Sequence, residues 1–250
     1  MLAIFHRHRP WFSGTLLVVY GSVICWAAWC FLVEGRGADE LAHLPHLSIL
    51  LAGLLLLCAL GRRALAAIAV FVAGGFAAEA VSVATGWPFG AYEYTGLGSQ
   101  LAGVPLVIPV AWAVLLIYVS QMQAALSAPR WLYALIGACW LTLLDFAVEP
   151  LAAGPLEWWR WHSSGTYYGV PLSNFAGWFV LSFVLLTLAP RITTPCPWVR
   201  MLGISVPLFA LLAAIGLGYP DVAVLSVLLL GLHGAVVWRE SRDASFAKPV

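Results

Sequence analysis

The chain has 250 residues, of which 62% are hydrophobic and only 9% are charged, and its mean hydropathy is +0.94. A soluble domain of this length could not bury so much apolar surface, so the composition predicts an all-α, polytopic helical membrane protein. The net charge of +1 excludes a basic face for nucleic acid. We therefore expect one integral membrane domain over residues 1–250, with the lipid bilayer as its surroundings and no nucleic-acid partner.

Eight apolar stretches along the chain predict transmembrane helices, because about 20 such residues span a bilayer. In chain order they are 12–33, 43–60, 64–84, 103–126, 131–150, 173–190, 200–217 and 221–238. The first follows a basic N-terminal segment and is long, so we expect an uncleaved helix and not a signal peptide.

The basic residues are distributed unevenly between the two sides of this predicted bundle. Ten of the twelve Lys and Arg residues fall on the side of the two termini, and only Arg36 and Arg160 fall on the other. The positive-inside rule then places both termini in the cytoplasm, in the cell (inner) membrane. Two long polar loops, 85–102 and 151–172, are predicted on the non-cytoplasmic side, and long loops of this kind are often functional.

An internal repeat is predicted from two similar segments, GVPLVIPVAW at 103–112 and GVPLSNFAGW at 169–178. The same offset of 66 residues places Glu79 on Asp145. We therefore predict two parallel repeat units, 70–112 (helices 3 and 4) and 136–178 (helices 5 and 6). A repeat of this type implies a pseudo-two-fold axis along the membrane normal, with a site between the halves.

Three carboxylates lie inside predicted spans, at a similar depth near the non-cytoplasmic side: Glu79, Asp145 and Glu149. Ionisable groups within a membrane are costly and commonly functional, although these could also cap helices or bond to loop amides and Trp N–H groups. Asp145 and Glu149 share a helix face because they are four residues apart. Pro150 is expected to stop or kink that helix.

The two long loops and the helix that follows each are rich in aromatic and polar residues. An interfacial aromatic belt explains many Trp and Tyr residues in membrane proteins, and Asn174 could either face a site or cap its helix. The crowding in TGWPFGAYEYT (85–95), EWWRWH (157–162) and GTYYGVPLSNFAGW (165–178) favours a site instead. The candidate lining residues are Trp87, Phe89, Tyr92, Tyr94, Trp158, Trp161, His162, Tyr167, Tyr168, Asn174 and Trp178.

Metal chemistry is disfavoured by the pattern of histidines. A membrane di-iron enzyme needs several His-rich boxes, whereas His43 and His46 form a single pair that nothing else in the sequence matches. We therefore expect no metal and no cofactor.

Six features over about residues 70–180 together resemble a known family. They are Glu79, GWPFGAYEYT, GVPLVIPVAW, the D-x-x-x-E-P segment at 145–150, W-x-W and YYGVPLSNFAGW. The segments are similar to those of membrane-bound carotenoid biosynthesis proteins of the carotenoid 1,2-hydratase type. That family includes γ-carotene 1′,2′-hydratase and bisanhydrobacterioruberin hydratase. Much of the family is expected to have Asp before the proline, where this chain has Glu149, which keeps the acid and lengthens its reach.

The resemblance implies cofactor-independent, acid-catalysed hydration of the terminal 1,2 double bond of an acyclic carotenoid, giving a tertiary alcohol. The substrate would be lycopene-like or γ-carotene-like, and other carotenoid enzymes are candidate partners. The residues suit this chemistry, since a carboxyl buried in an apolar site keeps its proton and aromatic faces stabilise a cation. We assign Asp145 as proton donor, and Glu149 or Glu79 as its partner or as the base for water.

Other functions remain open at this point. A membrane lycopene-type cyclase would use the same protonation step but close a ring, so its product would be isomeric with its substrate. A prenyltransferase would need two Asp-rich motifs for magnesium diphosphate, and the chain has at most one. A proton-coupled transporter or a pigment-binding protein could use the carboxylates differently, although transporter charges usually lie at the membrane midplane.

Overall fold

The computed structural model describes residues 2–29, 44–60 and 62–246, and within them the chain forms eight helices and four short strands. The helices are α1 (Leu2–Trp29), α2 (Leu44–Ala59), α3 (Arg62–Thr85), α4 (Val107–Met122), α5 (Arg130–Ala153), α6 (Leu172–Leu188), α7 (Pro197–Leu217) and α8 (Pro220–Phe246). The strands are β1 (Tyr92–Tyr94), β2 (Gln100–Leu101), β3 (Val104–Pro105) and β4 (Trp159–Trp161). Arg36 and His43, which the sequence predictions used, lie outside the described residues.

The helices form where the chain is a run of apolar residues, because a backbone in lipid must satisfy its hydrogen bonds internally. Local signals set the ends of α7: Pro197 is its first residue, and Gly218 follows it with φ 81° and donates its backbone N–H to Ala214 O. The predicted all-α membrane class is confirmed. Four helical stretches are long and apolar enough to cross a membrane: Ala64–Thr85, Arg130–Ala153, Pro197–Leu217 and Pro220–Arg242.

Shorter apolar helical stretches occupy the other predicted spans, at Gly14–Trp26, His46–Ala59, Val107–Met122 and Leu172–Leu188. The number of crossings and the sidedness of the loops stay predictions. The repeat units 70–112 and 136–178 also stay a prediction; the loop between the two helices holds three short strands in the first unit and one in the second.

Helix α4 lies at the centre of the packing, in contact with α2, α3, α5 and α7. Its side chains Trp112, Leu116 and Tyr118 are at most 1% exposed. Helix α7 approaches α4 closely at Gly203, where a Cβ atom would lie 1.8 Å from Tyr118 Cδ2. The neighbouring pairs α1–α2, α3–α4, α5–α6 and α7–α8 pack along one another as well.

The two long polar loops are joined to each other by a pair of strands. Strand β1 pairs antiparallel with β4, in a register that places Tyr92 opposite Trp161 and Tyr94 opposite Trp159. Alternation along β1 directs Tyr92 and Tyr94 inward and leaves Glu93 exposed. We call the two segments 86–106 and 154–171 the loop cap, because together they close one end of the bundle.

Several helix ends differ from the predicted span boundaries, and two of the differences lie next to the loop cap. The fourth helix begins at Val107, and not at 103, because 100–101 and 104–105 form the hairpin β2–β3. Gly103, with φ 77°, supplies the left-handed backbone that this tight turn requires. Pro150 does not stop the fifth helix, which continues to Ala153.

Candidate active site

A cavity of about 230 Å³ lies beneath the loop cap, between helices α1 to α7. Most of its lining is aliphatic or aromatic. The polar residues that line it are Tyr20, Ser48, Glu79, Tyr92, Tyr94, Asp145, Glu149, Asn174 and Ser205. All three predicted carboxylates therefore reach one cavity, and each is at most 4% exposed.

Glu79, on α3, is held by three hydrogen-bond donors. Trp112 Nε1 donates to Oε1 over 2.8 Å, and Tyr94 OH donates to Oε2 over 2.8 Å. Tyr92 OH also donates to Oε2. Both oxygens are thus occupied by donors, and these hydrogen bonds favour the negative carboxylate, whereas its burial disfavours it.

The two tyrosines that bind Glu79 remain protonated. Burial raises the pKa of the Tyr92 and Tyr94 hydroxyls well above the ordinary value, and the negative charge of Glu79 raises it further. Both hydroxyls therefore act as permanent hydrogen-bond donors to the carboxylate.

Glu149, on α5, is held by two indoles of the loop cap. Trp159 Nε1 and Trp161 Nε1 each donate to Oε1 over 2.7 Å. Both indoles reach the same atom because residues two apart on a strand point to one face. Among the described residues, no hydrogen bond reaches Glu149 Oε2.

Asp145, one helical turn before Glu149, has the fewest donors. Asn174 Nδ2, from α6, donates to Asp145 Oδ2 over 2.8 Å. No hydrogen bond from the described residues reaches Oδ1. Asn174 therefore faces the carboxylates, and its side chain does not cap α6.

The cavity brings these carboxylates together without a cation. None of the described residues that line it is Lys, Arg or His. Burying three neighbouring negative charges without a positive partner is strongly unfavourable. The arrangement therefore favours a state in which at least one carboxyl carries a proton, as an acid catalyst requires.

Aromatic rings stack beside the carboxylates. The rings of Trp112 and Trp178 are stacked with centroids 4.1 Å apart, and Phe89 stacks on Trp112 at 6.1 Å. Gly177 lets the loop cap approach α6, because a Cβ there would lie 2.6 Å from Phe89 Cδ1. Such π faces can stabilise a cation that forms in the cavity.

Most of the predicted lining residues do reach the cavity. These are Phe89, Tyr92, Tyr94, Trp158, Trp161, Asn174 and Trp178. The described structure places four others elsewhere. Trp87 is 72% exposed and His162 is exposed beside β4. Tyr167 OH donates to Phe146 O, and Tyr168 OH donates to Asp221 Oδ2 over 3.2 Å.

Sequence reasoning missed two tryptophans that contact the carboxylates. Trp112 is the counterpart of Trp178 in the predicted repeat, so the 66-residue offset could have identified it. Trp159 shares a strand face with Trp161, and the alternation in W-x-W indicates this. Tyr20 and Ser205, which bond to each other over 2.8 Å in the cavity wall, carried no local sequence signal.

Comparisons with known proteins identify the family of the chain. The family model described as "Carotenoid biosynthesis protein" matches residues 43–233, a range that includes all three carboxylates. A curated relative, bisanhydrobacterioruberin hydratase of Haloarcula japonica, is 30% identical over 172 residues. The alignment covers 62% of this chain and 57% of the relative, so the chain spans little more than half of that protein's length. No solved structure is significantly similar. Because the family model matches most of the chain, the protein belongs to the carotenoid biosynthesis protein family.

Proposed function

We propose that the chain adds water across the terminal 1,2 double bond of an acyclic carotenoid end group and forms a tertiary alcohol. The observation that carries the proposal is a set of three buried carboxylates in an apolar, aromatic-lined cavity without a cationic partner. The relative named as a hydratase supports the same reaction type. A volume of about 230 Å³ is below the range of about 300–1,000 Å³ typical of drug-sized ligands, so it suits the end of a long polyene.

Asp145 is the proton donor in this proposal. It has a single hydrogen-bond donor, so its anion is the least stabilised of the three, and Oδ1 faces no competing partner among the described residues. Its proton adds to the less substituted carbon of the alkene. The electron pair of the double bond forms the new C–H bond, which leaves a tertiary cation and the Asp145 carboxylate.

Glu149 is the base in this proposal. Two indole N–H groups orient it through Oε1, and Oε2 remains available to a water molecule. The water oxygen forms a C–O bond with the cation while its proton passes to Glu149. Return of that proton to Asp145, one turn away on α5, restores the starting state, so the reaction consumes one water and no cofactor.

Glu79 has a different role in this scheme. Because Trp112, Tyr92 and Tyr94 occupy both of its oxygens, it is a positioning residue and not the acid. It fixes the indole of Trp112, whose ring stacks on Trp178 next to the reacting end. The stacked indoles stabilise the tertiary cation in the apolar cavity.

The test is expression in a host that makes an acyclic carotenoid, with mass spectrometry of the pigments. We expect products heavier by one water per modified end. Asp145→Asn keeps a side-chain oxygen that can accept the hydrogen bond from Asn174 but removes the acidic proton. It should therefore lower alcohol formation by about 10²–10⁴-fold. Asp221→Asn, at an acid outside the cavity, is the matched control and should retain activity. Full activity of Asp145→Asn would overturn its assignment as the proton donor.

The same experiment separates hydration from cyclisation. A cyclase would share the proton donor and the aromatic stack, and the nearly apolar cavity lining is equally favourable to a cation that loses a proton after ring closure. Its product would have the mass of the substrate. A product of unchanged mass but altered absorption would therefore replace the hydratase proposal with the cyclase one.

A further inference from the structure

The turn of α5 that carries two of the acids ends in a proline. Pro150 directly follows Glu149 and has no backbone N–H, so Phe146 O lacks the donor that an α-helix supplies from four residues further on. The proline ring also crowds this carbonyl. The helix nevertheless continues to Ala153. A buried carbonyl without a donor is costly, so its partner has to come from another part of the chain.

The missing donor comes from the loop cap. Tyr167 OH donates to Phe146 O over 3.0 Å. Burial raises the pKa of this hydroxyl to about 12, so it keeps its proton at neutral pH and can donate. Phe146 directly follows Asp145, so this hydrogen bond holds the helix backbone next to the acid.

The ring of Tyr167 reinforces the same contact. It lies edge-on to Phe146 and Phe175, with centroids 5.3 and 5.8 Å away. These two phenylalanines stack face to face between α5 and α6, with centroids 3.7 Å apart. Phe175 directly follows Asn174, as Phe146 follows the acid. The three rings therefore join α5 and α6 at the level where Asn174 donates to Asp145.

A tight turn fixes the direction of Tyr167. Val170 N donates to Tyr167 O over 2.9 Å. The two residues between them, Tyr168 and Gly169, have φ of 50° and 81°, and both central residues of a type I′ turn have positive φ. Gly165 lets the two sides of this turn approach, because a Cβ atom there would lie 1.8 Å from Val170 O. Tyr167 is thus held by the segment that leads into α6.

We propose that Tyr167 is a positioning residue for the acid pair. Its hydroxyl replaces the helical hydrogen bond that Pro150 removes, and its ring holds α5 against α6. The turn with Asp145 and Glu149 therefore keeps its place beneath the loop cap. The effect on catalysis rests on the proposed hydration, whereas the exchange of one hydrogen bond for another does not.

The exchange of hydrogen bonds is tested by a double-mutant cycle of melting temperatures in detergent micelles. Tyr167→Phe removes only the hydroxyl and should lower the melting temperature, because Phe146 O is left without a donor. Pro150→Ala supplies a backbone N–H four residues after Phe146, so the same change at Tyr167 should then have little effect. No loss in the wild-type background, or equal losses in both backgrounds, would overturn the proposal whatever reaction the protein catalyses.

The positioning role is tested by the kinetics of alcohol formation, measured well below the melting temperatures of the variants. Tyr167→Phe should lower kcat by up to about 10²-fold at unchanged KM, because the acid shifts while the cavity lining stays the same. The loss should be smaller in the Pro150→Ala background.

Tyr168→Phe is the matched control, because Tyr168 OH donates to Asp221 Oδ2 and its ring does not belong to the stack on α5 and α6. It should keep the kcat of the wild type. Wild-type kcat in Tyr167→Phe, or an equal loss in Tyr168→Phe, would overturn the positioning role. Absence of alcohol from the wild type would instead refute the proposed function, and the melting temperatures would still decide whether Tyr167 replaces the missing helical bond.

Discussion

Replacing Glu79 by Ala should destabilise the fold far more than an ordinary loss of a carboxylate. Three donors, from Tyr92, Tyr94 and Trp112, converge on this side chain, which is 4% exposed. A buried donor without a partner costs about 1–3 kcal/mol, so three give about 3–9 kcal/mol. The free energy of unfolding of a protein is about 5–15 kcal/mol in total. Glu79→Ala should therefore remove a large part of it and leave the fold marginally stable.

Glu79→Gln should be much milder, and the reason lies in the donors. An indole N–H can only donate, so the amide oxygen must face Trp112 and the NH₂ group must face the tyrosines. The tyrosine hydroxyls can rotate to accept from that NH₂ group. The substitution removes the negative charge of the acceptor in three hydrogen bonds. A hydrogen bond to a charged group contributes about 1 kcal/mol more to stability than a neutral one.

Denaturant unfolding in detergent, followed by tryptophan fluorescence, measures both effects. Glu93→Ala is the matched control, because Glu93 lies in the same loop, is exposed, and faces Arg160 at 3.6 Å. A surface pair of this kind contributes at most about 1 kcal/mol. Trp112→Phe should be less costly in a Glu79→Ala background than alone, because it removes one orphaned donor. If Glu79→Ala costs no more than Glu93→Ala, the structural role of this carboxylate is refuted.

Two further predictions concern packing and charge. Gly177→Ala should destabilise the fold by about 1–3 kcal/mol and lower activity, because its Cβ would lie 2.6 Å from Phe89 Cδ1. Gly231→Ala is the control: no atom lies within 4 Å of the added Cβ, so the melting temperature should not change. Glu240→Ala should cost about 3–5 kcal/mol, because it leaves the buried guanidinium of Arg200 without the two hydrogen bonds of 2.6 and 2.9 Å. The double variant Arg200→Met, Glu240→Leu should melt above Glu240→Ala, and a lower melting temperature would contradict this explanation.

The helices, and the presence of the three carboxylates in one cavity, follow from the sequence for physical reasons. Long apolar runs in lipid have little choice but to form helices, so each of the eight predicted spans overlaps one helix of the described residues. Asp145 and Glu149 share a cavity because four residues make about one helical turn. Glu79 joins them from α3, as its equivalent position in the predicted repeat suggested.

What the sequence did not predict are contacts between distant segments. The pairing of β1 with β4 joins residues such as Tyr92 and Trp161 across three-residue strands, and the sequence of such a short strand does not show which other strand it pairs with. Tyr167 and Tyr168 were predicted to be site residues because they lie in an aromatic-rich loop on the same predicted side as the other candidates. Their hydroxyls instead bond to Phe146 O and Asp221, partners that only the folded chain brings near.

The division of donors among the three carboxylates was also beyond the sequence. Side-chain direction decides which donor pairs with which acid. Strand alternation sends Trp159 and Trp161 to Glu149 and sends Tyr92 and Tyr94 to Glu79. Two loops therefore distinguish carboxylates that look equivalent in the sequence.

The pairing of β1 with β4 has a consequence for protein engineering within the family. Each strand supplies the partner for the other and also the donors for a different carboxylate, Glu79 for β1 and Glu149 for β4. A chimera that receives only one of the two loops from a relative would combine strands that did not evolve together. Loop exchange intended to change pigment selectivity should therefore transfer both segments of the loop cap as one module.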